Sequence, residues 1–334
     1  MIEHNRPSID KEEQLAVSKV LKSGYLAEGS EVKKFESEFC KYLGLPEGHA
    51  VALSSGTASL FLALWSLNAK NKSIAIPVYV CSALRNAVSM IQAKQTLIDN
   101  QVASPNISLN NLQKSSVKIA IIPHMFGLPN NINNVQNIDI IEDCAQSLGA
   151  SIGNVKTGLF GKIGIFSFYA TKLMTSGGQG GMFVSKDINI VDQVRDYRNF
   201  DYRKDKKNRF NFQMTDVHAS IGRIQLKKLP LFLERRQEIF EKYKNAGFKL
   251  LESNDNSVHY RAVIKINNPK NIQKKLLKQG IKSIIPIEDW ELLGNSVDYK
   301  NAFDMTQTTL SLPIYPSLMD KDVKKIISQV QKLL

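Results

Sequence analysis

Short apolar runs, each only a few residues long, recur between residues 49 and 185 of this 334-residue chain. They read HAVALS (49–54), SIAIPVYV (73–80), KQTLID (94–99), VKIAIIPHMF (117–126), NIDIIED (137–143), KIGIFSFY (162–169) and GGMFVS (180–185). The first five are separated by helix-length or loop-length segments. Runs that are apolar nearly throughout indicate strands buried on both faces, the pattern of a parallel sheet in an α/β domain. The flanks carry a different period. Asp10 followed by Glu13 predicts a capped helix start, and SEVKKFESEFCKYLGL puts Val32, Phe35, Phe39 and Leu43 on one helical face.

From Asp216 onward, DVHASIGRIQLKKLPLFLERRQEIFEKYKNAG places Ile221, Ile224, Leu226 and Leu229 at helical spacing. Pro230 is expected to interrupt or kink this helix before it resumes through Leu233, Ile239 and Tyr243. The remainder alternates YRAVIKI, NIQKKLLKQG, LSLPIYP and a last helix from about Asp320, the make-up of a small α+β domain. The expected division is a large α/β domain over 1–225 and a small C-terminal α+β domain over 226–334, with the boundary inside the long helix. No internal repeat interrupts this plan.

Composition narrows the setting. With 43% hydrophobic residues the chain can bury a sizeable core. Its apolar runs stop well short of the roughly 20 residues of a membrane span, and the polar opening MIEHNRPSIDKEEQ has no signal-peptide core, so a cytoplasmic location without membrane contact is expected. Cys40, Cys81 and Cys144 are odd in number and lack metal-ligand spacing, which reads as reduced thiols and no metal. The net charge of +13 is compatible with nucleic-acid binding. It is spread over many lysines, with one concentration at DYRNFDYRKDKKNRF (196–210), and reads as a solvated surface or as attraction for a phosphorylated substrate.

Three places can hold chemistry. In VALSSGTASLFLALWSL a strand passes through Ser54, Ser55, Gly56 and Thr57 into a helix, a turn able to bind phosphate and equally able to be a plain cap. NIDIIEDCAQSLGA delivers Glu142 and Asp143 at a strand end, where a carboxylate can cap a helix, bind a metal or pair with a cation. FSFYATKLMTSGGQGGMF holds Ser167 and Lys172 before a run of glycines. A partly desolvated lysine can form a Schiff base with an aldehyde, although a lone lysine in so basic a chain is ordinarily solvated. Taken together, a phosphate turn, a strand-end aspartate and a strand-end lysine are what pyridoxal phosphate (PLP) needs for its phosphate, its ring nitrogen and its aldehyde. There is no GxGxxG after the first strand and no His-rich ligand spacing.

In this combination the chain resembles the DegT/StrS-type aminotransferases, fold-type I PLP enzymes acting on nucleotide-linked keto sugars. The likeness runs in order through SGYLAEGSEVKKFESEF, SSGTASL, IPHMFG, IEDCAQSLGA, FGKIGIFSFYATK, GQGGM, RFNFQMTDVHASIGRIQLKKL and LSLPIYPSL. It implies a large domain with a mostly parallel seven-stranded sheet between helices, plus the small domain. It implies Lys172 as the Schiff-base lysine and catalytic residue, Asp143 as partner of the pyridine nitrogen, and Gln146 beside the ring. Gly56, Thr57 and Ser167 would hold the phosphate, and Asn211 would reach the phosphate of the other subunit, which implies a homodimer with shared active sites. His124 lies in a shared block as a structural or neighbouring residue.

The chain departs from the family pattern at four places. Cys81 stands at the ring-stacking position usually held by an aromatic residue, which leaves Tyr79 as another source of stacking. GGQGG replaces GEGG, introducing Gln179. Asn211-Phe212-Gln213 replaces NxR, and IIPIEDWELLG stands where many relatives carry a Tyr- and His-containing loop. The implied reaction is transfer of an amino group, with glutamate as donor, to a nucleotide-linked keto deoxysugar in amino-sugar biosynthesis for a surface polysaccharide or glycoconjugate. Arg195, Arg198 and Arg203 are candidates for the substrate's pyrophosphate. Two alternatives are a PLP-fold sugar dehydratase, whose relatives have histidine in place of the lysine, and a non-catalytic regulatory or nucleic-acid-binding protein on the same scaffold.

Overall fold

All seven apolar runs become strands of one sheet. The structure, a computed structural model, describes residues 1–253 and 255–334. Its strands are β1 (Ala50–Leu53), β2 (Ser73–Pro77), β3 (Lys94–Ile98), β4 (Ile119–Pro123), β5 (Asp139–Asp143), a short hairpin of β6 (Ser151–Ile152) and β7 (Val155–Lys156), β8 (Ile163–Ser167), β9 (Gly181–Val184), β10 (Ala262–Lys265) and β11 (Thr309–Leu312). The helices are α1 (Lys11–Ser23), α2 (Ser30–Leu43), α3 (Gly56–Ser66), α4 (Ala83–Met90), α5 (Leu109–Lys114), α6 (Ile188–Arg198), α7 (Asp216–Asn245), α8 (Pro269–Lys278), α9 (Lys300–Thr308) and α10 (Asp320–Gln331).

The seven-stranded sheet runs β1-β9-β8-β5-β4-β2-β3, with β9 antiparallel to both neighbours and the other strands parallel. Strand alternation explains the apolar runs. In β1, Val51 and Leu53 pack with residues of α3 and α6, while Ala50 and Ala52 meet Phe35 and Phe39 of α2 and Leu226 and Leu229 of α7. Both faces are therefore covered, and each fully buried Phe contributes about 1.5–3 kcal/mol. The edge strand β3 is exposed at Lys94 and Gln95, which blunts the edge against further pairing. The predicted capping box at Asp10 and Glu13 forms, and Val32, Phe35, Phe39 and Leu43 are buried as their spacing requires.

Pro230 does not break the long helix. α7 runs for 30 residues through it, from the core of the large sheet to that of the small one. Proline removes one helical hydrogen bond. Leu226 and Leu229 before it, and Ile239, Phe240 and Tyr243 after it, are buried in separate cores that anchor both halves. The second core lies under the antiparallel pair β10–β11 and includes Leu276 of α8 and Val323 and Ile326 of α10.

The first residues are woven into this small sheet. Ile2 pairs with Ile281, His4 Nε2 lies 2.9 Å from Ser311 Oγ, and Asn5 Nδ2 donates to Thr171 O at 2.8 Å. A cleft of about 1600 Å³ opens elsewhere, between α1, α2 and the start of α7, beside the exposed Leu15, Tyr25 and Leu26. No helix is long and apolar enough to cross a membrane among the described residues.

Two histidines make this fold acid-sensitive. His259 stacks on Phe240 at 3.8 Å and bonds Gln237 Oε1, and burial lowers its pKa to about 4. His4 is lowered to about 3, again chiefly by burial. Below the ordinary value of 6.5 the unfolded chain takes up protons that the folded chain refuses, so stability falls as pH drops from 6.5 towards 4. The thermal midpoint measured by calorimetry should fall from pH 7 to pH 5, with a shallower slope in His259→Gln. A pH slope unchanged in His259→Gln would contradict the assignment.

Candidate active site

Parallel strands carry their C-terminal ends to one edge of the sheet, and β1, β2, β4, β5 and β8 all end there. Glu142 and Asp143 close β5, but they face different partners. Glu142 is fully buried. It accepts hydrogen bonds from the N–H groups of Gly158 (2.8 Å), Phe160 (2.7 Å) and Gly161 (2.6 Å), and one from His124 Nε2 at 2.9 Å. Asn130 N–H donates to His124 Nδ1 at 3.0 Å, so the ring is neutral with its proton on Nε2. His124 and Glu142 thus fasten the 158–161 loop. They lie near Cys144, but the ring nitrogens are already committed, and burial keeps the Cys144 thiol well above the usual range.

Asp143 has more to offer. It is buried, and one carboxylate oxygen accepts from Ala145 N–H at 3.0 Å. Burial pushes its pKa up, opposed by the Ala145 bond and the Lys172 ammonium. A desolvated carboxylate with only one hydrogen-bond donor is matched to a cationic partner that brings an N–H.

The phosphate-type turn meets Ser167. Ser55 Oγ caps α3 by accepting from Ala58 N–H at 3.1 Å. The first backbone bond of α3 runs from Ser59 N to Ser55 O, so the N–H groups of Gly56 and Thr57 precede the helical ladder. A Cβ on Gly56 would lie 2.8 Å from Ser167 Cβ and 3.1 Å from its Oγ. Glycine is therefore required there, and the close approach brings the helix start, with its positive dipole end, against the Ser167 hydroxyl.

Lys172 sits in the loop that follows β8. Phe168 N–H bonds Gly180 O at 2.8 Å, Tyr169 pairs with Gly178, and Lys172 N–H closes a turn onto Tyr169 O at 3.0 Å. Gly180 adopts φ 152°, and a Cβ there would meet Met214 Cε at 2.9 Å, which explains the glycine run as the closure of this loop. The Lys172 ammonium lies 5.4 Å from the centroid of the Tyr260 ring. Burial alone would raise the Tyr260 pKa, but Lys172 and Arg261 outweigh it and draw the phenol below its ordinary value. Tyr260 and Arg261 were not anticipated from sequence. An arginine beside the tyrosine at the head of a mostly apolar strand, YRAVIKI, was the available signal.

The other expected residues divide. Cys81 follows β2 on the same side. Its residue is exposed, yet the surrounding wall pushes its thiol up, Asp143 adding to that shift and Lys172 opposing it. Cys81, Asp143 and Lys172 therefore share one electrostatic neighbourhood. Tyr79 is fully buried, edge-on to Phe126 at 6.1 Å. Gln146 Oε1 accepts from Phe126 N–H at 2.7 Å, leaving its amide NH₂ available. Asn211 is exposed and bonds Gln213 N–H at 3.0 Å, while Phe212 O accepts from Ser54 N–H beside the phosphate-type turn. Gln179 is exposed.

Arg195 and Arg198 are not brought to this group. Arg195 bonds Gly48 O at 2.6 Å and Ala50 O at 3.2 Å, at the opposite end of β1. Arg198 is buried between Glu28 and Glu36. Arg203 pairs with Asp196, which also binds Arg209. The basic concentration at 196–210 is thus partly neutralised where it stands.

Residues 7–331 match the DegT/DnrJ/EryC1/StrS aminotransferase family. The chain is 31% identical to the uncharacterized protein MJ1066 of Methanocaldococcus jannaschii, over 98% of this chain and 96% of that protein. It is 26% identical to dTDP-4-dehydro-2,3,6-trideoxy-D-glucose 4-aminotransferase of Saccharopolyspora spinosa, over 99% and 96% of the two chains. Its fold superposes on the PLP form of Spr1654 from Streptococcus pneumoniae with a TM-score of 0.91, at 21% identity and covering 100% and 99% of the two chains.

Proposed function

The chain belongs to the DegT/DnrJ/EryC1/StrS aminotransferase family, and from that premise we propose that it transfers an amino group from glutamate to the keto carbon of a nucleotide-linked deoxysugar, with PLP as cofactor. The carrying observation is the convergence of Asp143, Lys172, Ser167 and the start of α3 at one end of the sheet. The buried Asp143 carboxylate, short of hydrogen-bond donors, fits a protonated ring nitrogen. The Gly56–Ser167 approach fits a phosphate.

Bound PLP supplies an electron sink for the charge that develops at the donor's α-carbon. Asp143 keeps the proton on the ring nitrogen. Gly56 N–H, Thr57 N–H and the Ser167 hydroxyl would hold the phosphate, and Gln146, with its amide NH₂ unbonded, and Cys81 would stand beside the ring. Lys172 Nζ would hold the cofactor's aldehyde, and the same amine is placed to move a proton at the donor's α-carbon. The same amine would serve the reverse proton movement at the acceptor.

Two similar curated proteins bear the names of nucleotide-sugar aminotransferases, acting on dTDP- and UDP-linked sugars, which supports this acceptor class. We place the large domain at 1–225 and the small domain at 226–334. The active unit is a homodimer in which Asn211 serves the partner's phosphate.

The purified protein supplied with PLP should absorb in the visible, and added glutamate should shift that band. A colourless protein in the presence of PLP would overturn the cofactor assignment. A band that glutamate leaves unchanged while other amino acids shift it would overturn the donor. A panel of keto-sugar nucleotides tests the acceptor.

A further inference from the structure

Arg261 has no role in the reading above and occupies an unusual position in the fold. It precedes β10, whose Ala262 and Ile264 enter the small core while Val263 packs with Tyr79, Met125 and Phe126 of the large domain. Alternation places Arg261 on the Val263 side. Its guanidinium carbon lies 6.0 Å from the Phe126 ring centroid and 5.4 Å from that of Tyr260, the ring that Lys172 approaches at the same 5.4 Å. Two cations thus flank one aromatic side chain.

The Arg261 side chain lacks a partner. Its Nε is buried without an acceptor, and among the described residues the side chain forms no ion pair or hydrogen bond. Every other arginine that is at least partly buried has an acceptor. Arg236 bonds carbonyls, Arg209 and Arg223 pair with carboxylates, and Arg195, Arg198 and Arg235 do both. Only Nε of this side chain is sealed from solvent without an acceptor, so its remaining donors stay open to an arriving anion.

We propose that Arg261 binds the amino donor, receiving one of its carboxylates. This rests on the aminotransferase reading. A guanidinium and a carboxylate match in plane and in charge, one to one, and form paired hydrogen bonds. A nucleotide diphosphate carries more charge than one guanidinium neutralises. The amine and carboxylate of an α-amino acid share a carbon, so a donor whose nitrogen is exchanged at Lys172 brings its carboxylate to the same aromatic wall.

The test uses the PLP-loaded protein, with succinate as carboxylate probe and inorganic pyrophosphate as phosphate probe, both read by calorimetric titration. Arg261→Met should weaken succinate at least about tenfold and raise the KM for glutamate by a similar factor, because a hydrogen bond to a charged group is lost. Its kcat and its pyrophosphate affinity should change less, and Arg261→Lys should recover part of the loss. Succinate binding unchanged in Arg261→Met would overturn the proposal, as would a loss confined to pyrophosphate. If the wild type gives no spectral response to any amino donor, the aminotransferase reading itself fails. A responsive wild type beside an unaffected Arg261→Met removes only the Arg261 assignment.

Discussion

Lys172→Ala should fold normally and lose at least about 10³-fold in turnover, since it removes both the aldehyde-binding amine and the group that moves the proton. The loop does not depend on this side chain. It is closed by the Phe168–Gly180 and Tyr169–Gly178 pairings and by Thr175, whose Oγ1 bonds Phe168 O. Stability should therefore change by less than about 1 kcal/mol. Borohydride reduction of the PLP-treated wild type should leave the cofactor covalently attached to the peptide containing Lys172, detectable by mass spectrometry. Attachment at a different lysine, or turnover by Lys172→Ala near the wild-type rate, would defeat the assignment. Partial recovery with added methylamine would show that the missing function is that of an amine.

Asp143→Asn should separate activity from stability. The amide can still accept from Ala145 N–H, but it cannot keep a ring nitrogen charged, and losing a buried charge pair of about 3 kcal/mol slows turnover roughly a hundredfold. The cofactor-free protein should respond differently. Because the folded Asp143 pKa is raised, the native state holds its proton more tightly than the unfolded chain, and the carboxylate costs stability at pH values above its ordinary 3.8. Asn removes that cost. Without cofactor, the thermal midpoint of Asp143→Asn at pH 7 should equal or exceed that of the wild type, while PLP should stabilise the wild type more. A variant that is both active and less stable would show that Asp143 serves the fold and not a cofactor.

Six of the seven strands of the large sheet were legible because each is buried along most of its length, which makes a continuous apolar run informative, while the edge strand β3 is buried only at Ile98. Their order in space was not, because β9 returns antiparallel between β1 and β8 through pairings that no local pattern encodes. α7 runs past Pro230 without interruption for a related reason. The cost of proline is local, whereas the packing that offsets it comes from two separate cores. At the site, Asp143, Ser167 and Lys172 could be named because strand ends and glycine runs mark where side chains must emerge. Arg195 and Arg198 misled because charge density in sequence says nothing about direction, and both guanidinium groups bond inward to backbone or to Glu28 and Glu36. Arg261 and Tyr260 could not be found in this way, since their neighbours Lys172 and Phe126 lie about 90 and 135 residues earlier in the chain.

The N-terminal arm bears on the order of folding. Asn5 holds the carbonyl of Thr171, the residue before Lys172, yet Ile2 must find Ile281 and His4 must find Ser311 for the arm to dock in full. Contacts separated by nearly the length of the chain close the largest loops and carry the greatest entropic delay. On a growing chain the strands of the large sheet are all present once β9 has emerged, but the arm that holds the Thr171 carbonyl can dock in full only after Ile281 and Ser311 have been made. Full seating of the lysine loop can therefore report on the folding of the small sheet.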